Sequence, residues 1–246
     1  MQSTDPCWYR QHFNEDYRTL YAARDDEEAE AQAAFAAERL DISPRDTLLD
    51  LCCGHGRHLE AFARRNIKAT GVDLSLPLLE TALSRKAGPL IRADMRKLPF
   101  ADGGFTVLVN FFTSLGYFES EEENLVAIEE MARVLLPGGR FLIDLINPLA
   151  AASPVPRSLR EEGRFEIREE RWFDDETLRV KKRIELLDTG SGERRSYRES
   201  VRIYGEDELL SILAPRGLKV DELRGDFTGA PFQAGSPRMI LLGARS

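Results

Sequence analysis

A short apolar run, Thr47-Leu48-Leu49-Asp50-Leu51, gives way to Cys52-Cys53-Gly54-His55-Gly56-Arg57-His58 and then to the helical spacing of Leu59, Phe62 and Ala63. A buried strand that turns through glycines into a helix is the opening unit of a parallel α/β sheet. Glycine permits positive φ and a close backbone approach, and a helix N-terminus offers unpaired N–H groups, so the turn suits a nucleotide-like ligand. Spacing then separates the candidates. The dinucleotide fingerprint needs a third glycine three positions after Gly56, where Leu59 stands, which leaves an NAD-dependent oxidoreductase as a lesser alternative. A phosphate-binding P-loop needs Gly-Lys-Ser/Thr, which does not follow.

The same rhythm continues downstream. Ile67 to Val72 reads as a second strand ending at Asp73, and Ser75 caps the next helix, with Pro77 in its first turn and Gly88 as its stop. Leu90 to Ala93 and Phe105 to Asn110 are the third and fourth strands. Ser120 and Glu123 form a capping box for a helix burying Leu125, Ile128, Ala132 and Leu135. Pro137-Gly138-Gly139 ends that helix, and Arg140 to Leu145 is the fifth strand. Alternation of this kind predicts a Rossmann-like, mostly parallel seven-stranded sheet with helices on both faces.

Two segments depart from it. Cys7 to Leu40 reads as helical, aromatic-rich to Tyr21 and alanine-rich after the acidic run Asp25 to Glu28, a helical cap over residues 1–40. Between Pro154 and Tyr204 apolar residues alternate at period two (Phe165 and Ile167, Ile184 and Leu186, Val201 and Ile203), with hairpin turns at Asp174-Asp175-Glu176 and Asp188 to Gly192. That predicts a small antiparallel β lid, residues 151–204, inserted into a main domain of 1–150 and 205–246. Glu206 to Leu213 returns to helix, and Leu218 to Leu223 and Met239 to Ala244 complete the sheet.

Composition excludes several functions. The formal charge is −8, and nucleic-acid binding favours a basic stripe. The arginine-rich stretch Arg157 to Arg202 interleaves thirteen basic with twelve acidic residues, a solvated mixed-sign surface. No run of about 18 apolar residues predicts a membrane span, and Met1 to Tyr9 lacks the basic flank and apolar core of a secretion signal. Cys7, Cys52 and Cys53 make neither a zinc set nor an evident disulfide, which fits a reduced, cytoplasmic setting. His55 and His58 flank the glycine turn without a third ligand, and His12 has no evident partner, so no metal is expected.

Further residues sharpen the ligand. Asp73 closes the second strand, where a carboxylate can accept hydrogen bonds from both hydroxyls of a ribose. Asp94 and Met95 follow the third strand, an acid and an apolar neighbour suited to the amine and face of an adenine. In order, Leu48 to Gly56, Gly71-Val72-Asp73-Leu74-Ser75, Ala93-Asp94-Met95-Arg96-Lys97-Leu98-Pro99-Phe100 and Leu135 to Phe141 resemble the motifs of the class I S-adenosylmethionine-dependent methyltransferases. Cys52 stands where that family often has its first glycine. The resemblance implies S-adenosylmethionine as cofactor and S-adenosylhomocysteine as product. The residues it implies for binding are Tyr21, Asp50, Cys52, Gly54, Gly56, Arg57, Asp73, Leu74, Asp94, Met95 and Asn110.

The segment Asn110 to Phe118 follows the fourth strand at the edge where α/β ligands bind, and it is similar to a segment of bacterial small-molecule methyltransferases, including sugar N-methyltransferases. Thr113, Ser114, Tyr117 and Asn147 are the candidates to hold a small-molecule acceptor, and Tyr17 and Tyr117 to shape the approach. No residue announces itself as a base, which favours N- over O-methylation. A non-catalytic binding or scaffold protein on the same fold is the other alternative. Exposed strand edges in the insert also allow a homodimer.

Overall fold

The computed structural model describes residues 7–151 and 155–246; residues 1–6, where most of the secretion-signal reading falls, and 152–154, at the start of the insert, lie outside the described residues. Among the described residues the N-terminal segment forms three helices, α1 (Trp8–His12), α2 (Tyr17–Leu20) and the alanine-rich α3 (Asp26–Arg39). The break comes from Asp25, an extended N-cap whose carboxylate accepts the Glu28 N–H at 2.8 Å. The acidic run is thus the first turn of α3, where carboxylates favour the helix dipole.

Next come β1 (Leu48–Leu51), α4 (Arg57–Arg64), β2 (Ala69–Asp73), α5 (Leu76–Arg85), β3 (Leu90–Arg92), β4 (Phe105–Asn110), α6 (Glu121–Val134), β5 (Leu135–Ile146) and α7 (Pro148–Ala151). Ser75 caps α5 as expected, but the helix stops at left-handed Lys86 rather than at Gly88. Ser120 caps α6, while the Glu123 carboxylate turns to Arg96 instead of closing the box. Pro137-Gly138-Gly139 lies within the bounds of β5, where the pairing with β4 jumps from Phe105–Leu135 to Val107–Arg140.

The insert is β6 (Val155–Glu162), β7 (Phe165–Asp174), β8 (Arg179–Asp188) and β9 (Arg194–Arg202), an antiparallel sheet in that order. After it come α8 (Glu206–Leu213), β10 (Leu218–Arg224) and β11 (Arg238–Arg245). The main sheet has seven strands in the order β10-β11-β5-β4-β1-β2-β3, parallel except for β11, which runs antiparallel to both of its neighbours, β10 and β5. Side-chain alternation sends Leu49, Leu51, Leu108 and Ile143 to one face with α6 and α8, and Leu48, Val107, Val109 and Leu142 to the other with α3 and α4.

β1 is flanked by β2 on one side and β4 on the other, so the chain reverses its direction of winding there. The loops leaving the carboxyl ends of β1 and β4 diverge and open a crevice, the usual ligand position in such sheets. The smaller sheet packs Ile167, Ile184, Leu186 and Tyr197 around Leu20 of α2, and α1 lies against its strand β9, so α1 and α2 join the smaller sheet to the main domain. Among the described residues, no helix is long and apolar enough to cross a membrane.

Candidate active site

The glycine turn after β1 is built from left-handed residues. Cys52, Gly54 and Gly56 have φ of 62°, 55° and 78°. At Gly56 a Cβ would also lie 2.9 Å from Cβ of Ala82, so conformation and packing on α5 both demand glycine. Cys52 adopts the conformation a glycine would and carries about 1–2 kcal/mol of strain for it. Its Sγ lies 3.8 Å from Sδ of Met95, joining the turn to the segment after β3.

Asp73 holds the turn in place. One carboxylate oxygen accepts the Gly54 N–H and the other the Ser75 N–H, each at 2.8 Å. Each oxygen keeps a further acceptor site, and the residue lines the crevice. Burial raises its pKa, against the pull of those backbone N–H groups. Asp94 differs: burial alone would raise its pKa, but the Arg96 guanidinium, bonded at 2.6 and 3.0 Å, brings it below the usual carboxylate range. Behind the turn Asp50 is fully buried, and burial and the charge of Asp73 push it up to about 8 despite Arg57. Its Oδ2 and the Oδ1 of Asn110 are buried, with no hydrogen-bond partner among the described residues. Nδ2 of Asn110 donates to the Leu51 carbonyl at 2.8 Å.

The cleft encloses about 710 Å³, part of it open to solvent. Val72, Leu74, Leu78, Ala93 and Met95 form its apolar floor, and aromatic rings form its walls. On the N-terminal side Phe13 stacks on Tyr117 (5.7 Å between centroids, 18°) and abuts Tyr17 at 5.2 Å. Arg24 donates to the Tyr17 hydroxyl at 2.6 Å and lies over the rings of Tyr21 and Phe112, at 4.0 and 4.6 Å. On the loop after β4, Phe112 and Thr113 both have positive φ, 60° and 56°. Buried Asp144 overrides that strain: it accepts the Phe112 N–H at 2.8 Å and the Arg238 guanidinium at 2.7 Å, and Arg238 reaches the Thr113 hydroxyl at 3.0 Å.

Of the residues expected from sequence, Tyr17, Cys52, Gly54, Asp73, Leu74, Asp94, Met95, Ser114 and Tyr117 line the cleft, and Asp50, Gly56 and Asn110 stand behind its turn. Four are placed elsewhere. Asn147 is a structural clamp, its amide donating to the carbonyls of Gln233, Ala234 and Ser236 at 3.2, 3.1 and 2.7 Å. The Tyr21 hydroxyl donates to Glu199 of the smaller sheet. Arg57 is drawn to the Glu28 carboxylate at 2.8 Å, and Thr113 is held by Arg238.

Sequence reasoning missed Tyr9, Phe13, Phe118 and Arg24. The first three belong to visible aromatic runs, whereas nothing local marks Arg24. His12 gains a partner, Glu199, at 3.0 Å. His58 stacks on Phe111 at 4.1 Å and bonds Gln32 at 2.7 Å. His55, its pKa pushed down to about 4 by burial and by Arg85, Arg57 and Arg18, stays neutral at pH 7. Among the described residues, no group of three or more His, Cys, Asp or Glu is placed to hold a metal ion.

These features fit an adenosyl ligand with a cationic amino-acid end. Asp73 keeps acceptor sites facing the cleft, the floor is apolar, and the buried Asp50 carboxyl, its Oδ2 unsatisfied among the described residues, stands behind the glycine turn.

A family described as "Methyltransferase domain" matches residues 48–139. A Streptomyces venezuelae protein, dTDP-3-amino-3,4,6-trideoxy-alpha-D-glucopyranose N,N-dimethyltransferase, is 28% identical over 222 residues, spanning 82% of this chain and 91% of that protein. The probable tRNA methyltransferase 9B of Bos taurus is 29% identical over 134 residues, 54% of this chain, and the chain matches only 29% of that protein's length. Among solved structures, the CcbJ methyltransferase from Streptomyces caelestis superposes with a TM-score of 0.82 at 19% identity, over 99% of this chain and 100% of that one.

Proposed function

The chain belongs to the class I S-adenosylmethionine-dependent methyltransferases, and from that premise we propose that it methylates the nitrogen of a small-molecule amine, with amino sugars the leading class. The observation that carries the choice of nitrogen is the state of the titratable groups on the cleft. Asp73 is tied to two backbone amides and Asp94 to Arg96. Burial pushes the Cys52 thiol and the Tyr117 hydroxyl upward. None of these is set as a base near neutrality, and an amine that arrives neutral needs none. The amino-sugar class rests on the Streptomyces venezuelae relative, whose name specifies an amino sugar and which aligns along most of both chains.

When bound, S-adenosylmethionine supplies an electrophilic methyl group on sulfur for in-line displacement, with S-adenosylhomocysteine as the product. In this reading Asp73 takes the ribose hydroxyls, Leu74, Asp94 and Met95 the adenine, and the Cys52–Gly56 turn, backed by Asp50 and Asn110, the amino-acid end. Tyr17, Ser114 and Tyr117 shape the approach of the acceptor and keep water out. Residues 151–204 act as a lid over the acceptor side, set into a main domain of 1–150 and 205–246. The acidic surface favours a small acceptor over nucleic acid despite the tRNA methyltransferase relatives. The outer face of the smaller sheet, with exposed Leu159 and Trp172, offers a surface for a homodimer.

A screen of small amines, amino acids and amino sugars with labelled methyl donor tests the reading, beside calorimetry with S-adenosylmethionine and NAD. Labelled amino sugar with tight S-adenosylmethionine binding supports it. Binding of NAD alone would overturn it, and cofactor binding with no turnover across the screen would favour a scaffold.

A further inference from the structure

Strand β9 is bonded to both aromatic walls of the cleft. Toward the N-terminal wall, its Tyr197 hydroxyl donates to Asp16, and its Glu199 receives the Tyr21 hydroxyl and faces His12 at 3.0 Å. Toward the loop wall, the backbone N–H of Arg202 donates to the Gly116 carbonyl at 2.8 Å. Gly116 has φ 95°, and a Cβ there would lie 2.4 Å from the Arg202 carbonyl oxygen, so only glycine permits this approach.

Arg179, on the neighbouring strand β8, completes the junction. Its Nε donates to Ser200 Oγ at 2.8 Å and its Nη2 to the Ser200 carbonyl at 2.8 Å. The remaining bonds leave the sheet: Nη2 reaches the Gly116 carbonyl at 3.2 Å and Nη1 the Phe118 carbonyl at 3.1 Å. The guanidinium thus grips the carbonyls on either side of Tyr117, the residue that lines the cleft. It is 5% exposed, and among the described residues it forms no ion pair within 4 Å. Burying a cation among neutral oxygens alone costs desolvation that no counter-charge offsets, so bulk stability is a poor account of it. A rigid fork that spans two carbonyls is instead a device for geometry.

We propose that Arg179 is a positioning residue that fixes Tyr117 against the cleft, so that the smaller sheet dictates the shape of the acceptor side. This rests on reading the cleft as the methyl-transfer site. Arg179→Lys keeps the charge and loses the fork, and Arg179→Met loses both. In a Trp172→Phe background the sole tryptophan is Trp8, whose ring lies 5.1 Å from that of Tyr117 and reports on it.

Both variants should red-shift Trp8 emission and raise amide exchange across residues 111–118 by about tenfold or more, as a local opening would. Exchange in Leu48–Leu51 and Ala69–Asp73 should stay within about twofold, and S-adenosylhomocysteine affinity within about threefold, because those segments do not touch the fork. Should the arginine variants fail to fold, Ser200→Ala, which removes one support of the guanidinium, is judged by the same criteria. Unchanged exchange in 111–118, or an increase spread evenly over both sheets, overturns the proposal. Failure of S-adenosylhomocysteine to bind even the parent would instead overturn the functional reading, and the exchange comparison would still decide the role of Arg179.

Discussion

Asp50→Asn should stabilise the unliganded protein, and by an amount that grows with pH. The Asp50 carboxyl is 1% exposed, and burial and the neighbouring Asp73 hold it at about 8 against an ordinary 3.8. Between those values the native state keeps a proton that the unfolded chain releases. Stability therefore falls as pH rises through that window, at a limiting slope of about 1.4 kcal/mol per pH unit. From pH 5 to pH 7 the parent should lose about 2–3 kcal/mol relative to the asparagine variant, which has no such group to ionise. Above about 8 the native carboxyl ionises too, and the difference should level off. Urea unfolding of both proteins at pH 5, 6, 7 and 8, without cofactor, measures the effect directly. Parallel stability profiles for the two proteins would refute the reasoning, because they would mean that Asp50 ionises as easily folded as unfolded.

Asp73→Asn should weaken S-adenosylmethionine binding by about 1–3 kcal/mol in calorimetry, the loss of charged acceptors; it should also destabilise the fold, since an amide keeps one acceptor for the Gly54 and Ser75 N–H groups, and Asp73→Ala more so, since it keeps none, and equal affinities would remove Asp73 from the site. Cys52→Gly should leave a folded protein stabilised by up to about 1 kcal/mol, strain relief less the entropy of glycine, and a clear loss of melting temperature would show that the sulfur contact with Met95 outweighs the strain. Phe62→Ala, at a fully buried position between α4 and the sheet, should cost about 3–5 kcal/mol in denaturant titration, and a cost under about 1 would mean that the site collapses to fill the void. Replacing residues 155–200 with a short Gly/Ser linker should preserve S-adenosylmethionine binding while acceptor methylation collapses; a change in oligomeric mass alone, with acceptor preference intact, would make the smaller sheet an interface.

What could be read from the sequence follows from how local each interaction is. The turn from Asp50 to Gly56, Asp73 at a strand end, and Asp94 with Met95 are each set by a strand followed at once by its own loop, so spacing reveals them. The same holds for the hairpins of the insert, where turn residues interrupt an alternating pattern. Asn147, Tyr21 and Arg57 were drawn away by partners 86, 178 and 29 residues distant, separations that no local pattern encodes. Arg24 and Glu199 escaped for the same reason, since their roles exist only once the N-terminal helices lie against the smaller sheet. Phe112 escaped differently: its left-handed backbone is imposed by Asp144 and Arg238, and a phenylalanine gives no hint of it.

The position of β11 gives the order of synthesis a consequence for the cleft. In the sheet it lies between β5 and β10, both of which leave the ribosome before it. Until residues 238–245 emerge, β5 presents an unpaired edge to other nascent chains, and β10 has nothing to join. The same strand brings Arg238, the counter-charge of the buried Asp144 and the tether of Thr113. The bent backbone of Phe112 and Thr113, one wall of the cleft, is therefore secured only after the strand farthest from it in sequence has been made. A partial chain can carry every motif for the cofactor and still lack the finished pocket.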